Sequence, residues 1–208
     1  MIIVFAKAPL AGEAKTRLVP RLGAWGAARL QLRLTRHALA VARAARCGPV
    51  ELHLARAHSL FRRARLQRGA DLGSRMHHAF RSAKRPALLM GSDCAVLDLK
   101  EMRRAWRYLH AGYDAVIAPA EDGGYALIGL RRPLPELFRD IEWGSERVYA
   151  ETAARLAPYR WRALRAVWDV DRPADLERLR SLRVPLARLR GAPRSADSRG
   201  RSGGWGRT

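Results

Sequence analysis

The chain has 208 residues, 48% of them hydrophobic and 7% aromatic, with 40 Lys plus Arg against 19 Asp plus Glu. That length fits one domain of about 100–200 residues, with or without a tail, able to bury about 70% of its unfolded surface. Two cysteines, Cys47 and Cys94, exclude a disulfide framework and a cysteine zinc site, no apolar run approaches the roughly 18 residues that span a bilayer, and Ile2 to Ala6 is too short for a signal-peptide core, so a soluble cytoplasmic protein is expected.

Ile2 to Phe5 is a continuous run of branched and aromatic residues, the pattern of a strand buried on both faces. A loop with Pro9 and Gly12 follows, then a long amphipathic helix from Ala24 to Arg46, with Ala28, Leu32, Leu39 and Ala42 on its apolar side and Arg29, Arg33, Arg36 and Arg43 on its solvated side. Cys47, Gly48 and Pro49 end it. Val50 to Ala55 reads as a second strand, His58 to Leu66 as a short helix, Gly73 to Ala83 as a helix and Ala87 to Met90 as a buried strand. A helix is predicted over Lys100 to His110, with Asp98 as its cap, followed by strands Ala115 to Ala118 and Tyr125 to Leu130 around the turn at Asp122. Ser145 is expected to open another helix, Trp161 to Trp168 to form a last strand, and Pro173 to start a final helix through Leu182. Strands alternating with helices give an α/β layered fold with a mostly parallel sheet, and the hairpin at Asp122 adds one antiparallel member.

Residues 186–208 depart from this pattern: from Gly191 onward they are mainly Gly, Ser and Arg, too poor in apolar groups to offset ordering entropy, and are expected to be a disordered basic tail behind a domain of residues 1–185. The net charge of +21 invites a nucleic-acid partner. Two observations argue against it. Only Lys7, Lys15, Lys84 and Lys100 are lysines, so 36 of the 40 cations are arginine, as a coding bias would also produce, and they are spread along the whole chain. A weak contact through the tail remains the most that is expected of nucleic acid.

In a parallel sheet ligands gather beyond the carboxyl ends of the strands, and four segments fall there. The loop after the first strand carries Lys7, Gly12, Lys15 and Arg17, which can hold phosphate through backbone N–H groups and fixed cations, although it is neither a Walker loop nor a dinucleotide fingerprint; a basic surface loop reads the same way. Asp93 ends the strand Ala87 to Met90, a rigid place for a carboxylate that holds Mg²⁺ or Mn²⁺. The turn Asp122, Gly123, Gly124, Tyr125 allows a backbone to approach a ligand closely, and is equally an ordinary hairpin. Asp169 and Asp171 alternate at a strand end, so in an extended chain they share a side and could share a cation with Asp93, or balance nearby arginines. His77 and His78 are read as structural or solvated, and Cys94 as packing.

The ordered motifs F-A-K-A-P-x-x-G-x-x-K-T-R-L at Phe5 to Leu18, D-L-G-x-R-M at Asp71 to Met76, G-S-D-C at Gly91 to Cys94, D-G-G-Y-x-L-I-G-L at Asp122 to Leu130 and D-V-D-x-P-x-D-L at Asp169 to Leu176 resemble one bacterial family. That family is DUF2064, also called transferase 1, rSAM/selenodomain-associated. Its wider relatives are GT-A glycosyltransferases and nucleotidyltransferases of the 2-phospholactate guanylyltransferase and molybdenum-cofactor type. The resemblance covers about residues 1–182 and implies a GT-A, nucleotide-diphospho-sugar-transferase-like three-layer sandwich. It further implies that Lys7, Gly12, Lys15 and Arg17 hold the phosphates of an activated nucleotide, that Gly73 and Arg75 lie near base or ribose, and that Asp122 to Tyr125 face the acceptor. Asp93 and Asp171, with Asp169, would hold the divalent cation, and Lys15, Asp93 and Asp171 would carry the chemistry. The chain departs from the family pattern at Ala95, where Pro is usual, and at Arg172, where Thr is usual. The expected function is metal-dependent transfer from a nucleotide or nucleotide-sugar donor, glycosyl transfer first and nucleotidyl transfer as the alternative. A non-catalytic nucleic-acid binder and a relative without turnover are the competing classes.

Overall fold

In the computed structural model, which describes residues 1–181, the chain forms one seven-stranded sheet with helices on both faces. The strands are β1 (Ile2–Ala6), β2 (Val50–Leu54), β3 (Arg65–Leu66), β4 (Ala87–Gly91), β5 (Ala115–Pro119), β6 (Tyr125–Leu130) and β7 (Trp161–Ala163). The helices are α1 (Val19–Ala45), α2 (Leu72–Ser82), α3 (Leu99–His110), α4 (Val148–Arg155) and α5 (Pro173–Ser181). The sheet order is β3-β2-β1-β4-β6-β5-β7, and of these strands β6 alone runs antiparallel to its neighbours. The chain therefore moves outward from β1 through β2 to β3, then returns to β4 on the other side of β1. Between β1 and β4 lies the point where the winding reverses, the place beyond the strand ends where open α/β sheets bind ligands.

The continuous apolar strands are explained by what covers them. Ile2 and Val4 of β1 face a core shared with α1 and α3, while Ile3 and Phe5 face a second core shared with α2 and the Pro135–Phe138 turn. Both faces of the strand are dry, so alternation with polar residues is lost. On α1 the buried stripe runs through Ala27, Ala28, Leu30, Gln31, Leu34, Thr35, Ala38, Leu39, Ala42 and Ala45, while Arg29, Arg33 and Arg43 are exposed and Arg36 is half-buried. Gly23, at φ +70°, breaks the helix, so the regular part begins at Ala24 as predicted, and the extra turn at Val19 precedes the kink. Arg46 ends the helix in the left-handed region just before Gly48. Asp71 and Ser74 form a capping box on α2, and Asp98 caps α3 by accepting from the Glu101 N–H at 2.9 Å.

Three expectations need correction. His58 to Leu66 is not a helix but a short turn at Ser59–Phe61 followed by β3; Leu60 and Leu66 are exposed and Phe61 alone packs, partly buried, against the core, so the apolar face is too small to seat a helix, and the segment pairs instead with the edge of β2. The helix expected from Ser145 starts at Val148, because Ser145 Oγ accepts from the Arg147 N–H within a turn that follows Gly144 at φ +93°. The last strand ends at Ala163 rather than Trp168: Arg165 reaches across to Val96 and Asp98, and only a bridge between Ala120 and Val167 continues the ladder. Leu182 and the expected basic tail at 186–208 lie outside the described residues. Among the described residues no helix is long and apolar enough to cross a membrane.

Candidate active site

The loop after β1 turns back on itself through hydrogen bonds from the Leu10 N–H to Ala8 O and from the Ala14 N–H to Leu10 O. Gly12 has φ +81° with open space where a Cβ would stand, and Lys15 is held in the left-handed region at φ +51°. A non-glycine residue is uncommon there and is retained only where its surroundings over-determine it. The surroundings in this case are acidic. The Lys15 side chain is 2% exposed, and its Nζ lies 2.6 Å from Asp93 Oδ2 and 3.3 Å from Asp171 Oδ1. Arg17 Nη1 lies 2.7 Å from Asp171 Oδ2. One ammonium thus joins acids from the end of β4 and from the segment before α5.

The acids do not share one electrostatic state. Burial works against the Asp93 anion, but the Lys15 charge and hydrogen bonds from Lys15, Ser92 and Gln31 outweigh it, and the carboxyl titrates below its ordinary value. Asp169 is pushed up to about 7 by burial and by the neighbouring charges of Asp93, Asp122 and Asp171, with Lys15 opposing. Its Oδ1 is buried without a hydrogen-bond partner among the described residues. The backbone fixes the relation between the two acidic segments: the Val170 N–H donates to Asp93 O at 3.0 Å, and Asp175 Oδ2 accepts from the N–H groups of Asp171 and Arg172. Cys94 is buried and its thiol is pushed up to about 12 by burial, which removes it as a nucleophile near neutral pH.

Beside this cluster opens a cleft of about 470 Å³. Six acids line it, Glu121, Asp122, Glu146, Asp169, Asp171 and Asp175, with Arg17 and Arg172 as its cations. Trp168 forms part of the wall, with the Arg178 guanidinium 4.5 Å from its ring centre. Arg178 also grips Glu121 through two contacts of 2.6 and 2.8 Å, which ties α5 to the turn between β5 and β6. Gly123 is required at the rim: at φ +86°, an added Cβ would meet Glu146 O at 2.0 Å.

The structure brings together Lys15, Arg17, Asp93, Asp169 and Asp171, with Asp122 and Gly123 across the cleft. Lys7 and Gly12 stay exposed in the same loop and do not line the cleft. Gly73 and Arg75 do not line it either: Gly73 is buried where a Cβ would meet Trp143 Nε1 at 2.5 Å and Phe138 O at 2.6 Å, and Arg75 Nε donates to Gly69 O. Gly124 accepts the role of turn closure, its N–H donating to Asp122 Oδ1 at 3.0 Å. Tyr125 turns away from the cleft toward Met76 and Trp143, and burial pushes its phenol up. Gln31, Glu121, Glu146 and Trp168 lie outside the sequence motifs, and Ser92 stands inside G-S-D-C without an assigned role. Gln31 is legible only as a polar residue on the apolar stripe of α1.

The DUF2064 family, described as "Uncharacterized protein conserved in bacteria", matches residues 27–145. Among curated proteins, none matches the chain. A proposed nucleotide-diphospho-sugar transferase of known structure from Desulfovibrio desulfuricans G20 is 31% identical, with TM-score 0.74 over 82% of this chain and 81% of that one. CMP:2-keto-3-deoxy-manno-octonic acid synthetase complexed with CTP aligns at TM-score 0.56 and 12% identity, over 88% of this chain and 97% of that one. Rv0371c from Mycobacterium tuberculosis H37Rv, in complex with manganese, aligns at TM-score 0.52 and 16% identity, over 86% and 96%. The two distant likenesses show the fold alone, which is the GT-A-like, nucleotide-diphospho-sugar-transferase fold that the motifs implied. With more than half of its length matched by the family and a relative of the same architecture at 31% identity, the chain belongs to the DUF2064 family.

Proposed function

We propose that the protein is a transferase that takes a nucleotide-activated donor and acts with a divalent cation. The observation that carries this reading is the placement of Lys15 between Asp93 and Asp171, with Arg17 beside them, at the point where the sheet reverses its winding. Whether a sugar or a nucleotidyl group moves, the leaving group is a diphosphate whose oxygens gain negative charge in the transition state. Fixed cations aimed at that charge lower the barrier without a covalent enzyme intermediate. Lys15 and Arg17 are the groups that would meet it.

The donor set also suits a hard cation such as Mg²⁺ or Mn²⁺. Asp93, Asp169 and Asp171 are carboxylates from two chain segments, and the orphaned Asp169 Oδ1 is an oxygen in need of a positive partner. As the side chains stand, no three His, Cys, Asp or Glu residues among those described are arranged to enclose a metal, and the Lys15 ammonium supplies the counter-charge. A cation held by these acids would add Lewis-acid charge to the phosphate oxygens and leave Lys15 to turn toward the donor. The acidic cleft then receives the acceptor. Its excess of carboxylates suits a neutral, hydroxyl-rich or cationic molecule and repels a phosphorylated one.

Glycosyl transfer is the first reading, supported by the relative from D. desulfuricans. Nucleotidyl transfer is the second, favoured by three cations, Lys7, Lys15 and Arg17, in the one loop after β1, a charge suited to a triphosphate. Thermal melts with Mg²⁺ and either NTPs or NDP-sugars separate them, since a ligand at ~100 Kd adds about 2.7 kcal/mol. Stabilisation by NDP-sugars with release of nucleoside diphosphate on turnover supports the first; stabilisation by NTPs alone with release of pyrophosphate supports the second. A protein stabilised by neither overturns both.

A further inference from the structure

Gln31 lies in the middle of α1 with no exposed surface, among Ala27, Ala28, Leu30 and Leu34. Its Nε2 is 3.0 Å from Ser92 Oγ, 3.4 Å from Asp93 Oδ1 and 3.4 Å from Thr35 Oγ1. Those neighbours dictate which end of the amide faces them. The Ser92 hydroxyl gives its proton to Asp93 Oδ1 at 3.0 Å, and the Thr35 hydroxyl gives its own to Gln31 O at 2.9 Å. An ionised carboxylate has no proton to give. All three can therefore only accept, and only the NH₂ end of the amide fits. At the opposite end Gln31 Oε1 is buried with no partner among the described residues. Packing alone does not account for a half-satisfied amide, since an apolar side chain of similar shape would avoid the desolvation cost.

We propose that Gln31, seconded by Ser92, is a positioning residue for Asp93. It holds Oδ1 from the interior of the fold, so that Oδ2 is fixed toward Lys15. The inference rests on the reading of Asp93 as a ligand of a divalent cation. Without the amide, the carboxylate turns about its Cβ–Cγ bond and the affinity for the cation falls. Loss of a group that orients a metal ligand typically weakens metal binding roughly 10- to 100-fold.

The test is Mn²⁺ binding to the full-length chain, followed by water-proton relaxation, for wild type, Gln31→Met, Ser92→Ala and Asp93→Asn, with urea unfolding of each in a chelator. Wild type is expected to bind, Asp93→Asn to lose binding, and Gln31→Met to bind roughly 10- to 100-fold more weakly. Over the same series Gln31→Met should be no less stable than wild type in the chelator. A purely structural glutamine would show the reverse, lost stability with unchanged affinity. Should Gln31→Met fail to fold, Ser92→Ala removes only the second hold on Oδ1 and is expected to weaken Mn²⁺ in the same sense. Wild-type affinity in Gln31→Met or, failing that, in Ser92→Ala, beside loss of binding in Asp93→Asn, overturns the proposal and leaves the metal reading standing. Equal Mn²⁺ binding by wild type and Asp93→Asn, or none by wild type, overturns the metal reading and the positioning role together.

Discussion

Replacing Lys15 by Met keeps an unbranched side chain of similar length in a pocket where the lysine side chain is 2% exposed, and removes the cation that, among the described residues, touches both Asp93 and Asp171. Breaking a fully buried pair by removing one partner costs about 3–5 kcal/mol. The Asp93 and Asp171 side chains are 31% and 43% exposed, and Asp171 keeps Arg17, so water and one guanidinium absorb part of the loss. The expected destabilisation at pH 8 in a chelator is about 2–3 kcal/mol, or roughly 5–10 °C in Tm for a chain of this size. The sign of the pH dependence follows from Asp93, whose carboxyl is held below its ordinary value chiefly by Lys15 against the opposing effect of burial. In wild type that contribution is present above the unfolded pKa of about 4 and is lost as pH falls through the depressed folded value. In Lys15→Met it is gone at every pH, so the two proteins should differ most at pH 8 and converge toward pH 3. Removing the ammonium also frees the acids, so Mn²⁺ affinity should be kept or raised while donor affinity falls at least about tenfold, the loss of one charge-assisted contact. Urea unfolding between pH 3 and 8, with Mn²⁺ and nucleotide titrations, measures both. A Lys15→Met protein as stable as wild type at pH 8, or one whose deficit does not vary with pH, would refute the reasoning.

Asp169 has the opposite sign. Its folded pKa, pushed up to about 7, exceeds the unfolded value, so its contribution is complete below about pH 4 and is lost as pH rises through 7. Asp169→Asn should therefore gain on wild type as pH rises, by up to about 4 kcal/mol at pH 8 in a chelator, and a constant difference between pH 4 and 8 in urea melts would contradict this. Gly73→Ala forces a Cβ to within 2.5 Å of Trp143 Nε1 and 2.6 Å of Phe138 O, and overpacking of this kind costs about 1–3 kcal/mol; a loss under about 0.5 kcal/mol in denaturant melts would show that the contact yields freely. Both cysteines are buried and burial raises both thiols, Cys94 to about 12, so the native protein should not react with a thiol reagent at pH 8 until it is unfolded, when both sulfurs should titrate.

The order of elements was written in the sequence because local chemistry determines it. Ile2 to Phe5 is apolar without alternation, Asp71 and Asp98 stand where helix caps are needed, and the Asp122 turn reverses the chain into the antiparallel β6. Where local chemistry gives only a small apolar face, as between His58 and Leu66, the expected helix does not form, and the edge of β2 decided that β3 would form. The candidate site divides along the same line. Its charged members, Lys15, Arg17, Asp93, Asp169 and Asp171, are legible as residue types placed after strands, because ligand chemistry at a sheet edge draws on few kinds of side chain. Folding alone decided that a residue after β1, one after β4 and one before α5 would meet at a single nitrogen, and that Gly73 and Tyr125 would serve packing away from the cleft. It also decided that Gln31 would stand behind Asp93, a contact spanning α1 and β4 that no short motif contains. Periodicity and capping act within a few residues of chain, whereas the separation of carboxylates, their burial and their counter-charges are properties of packing between distant segments.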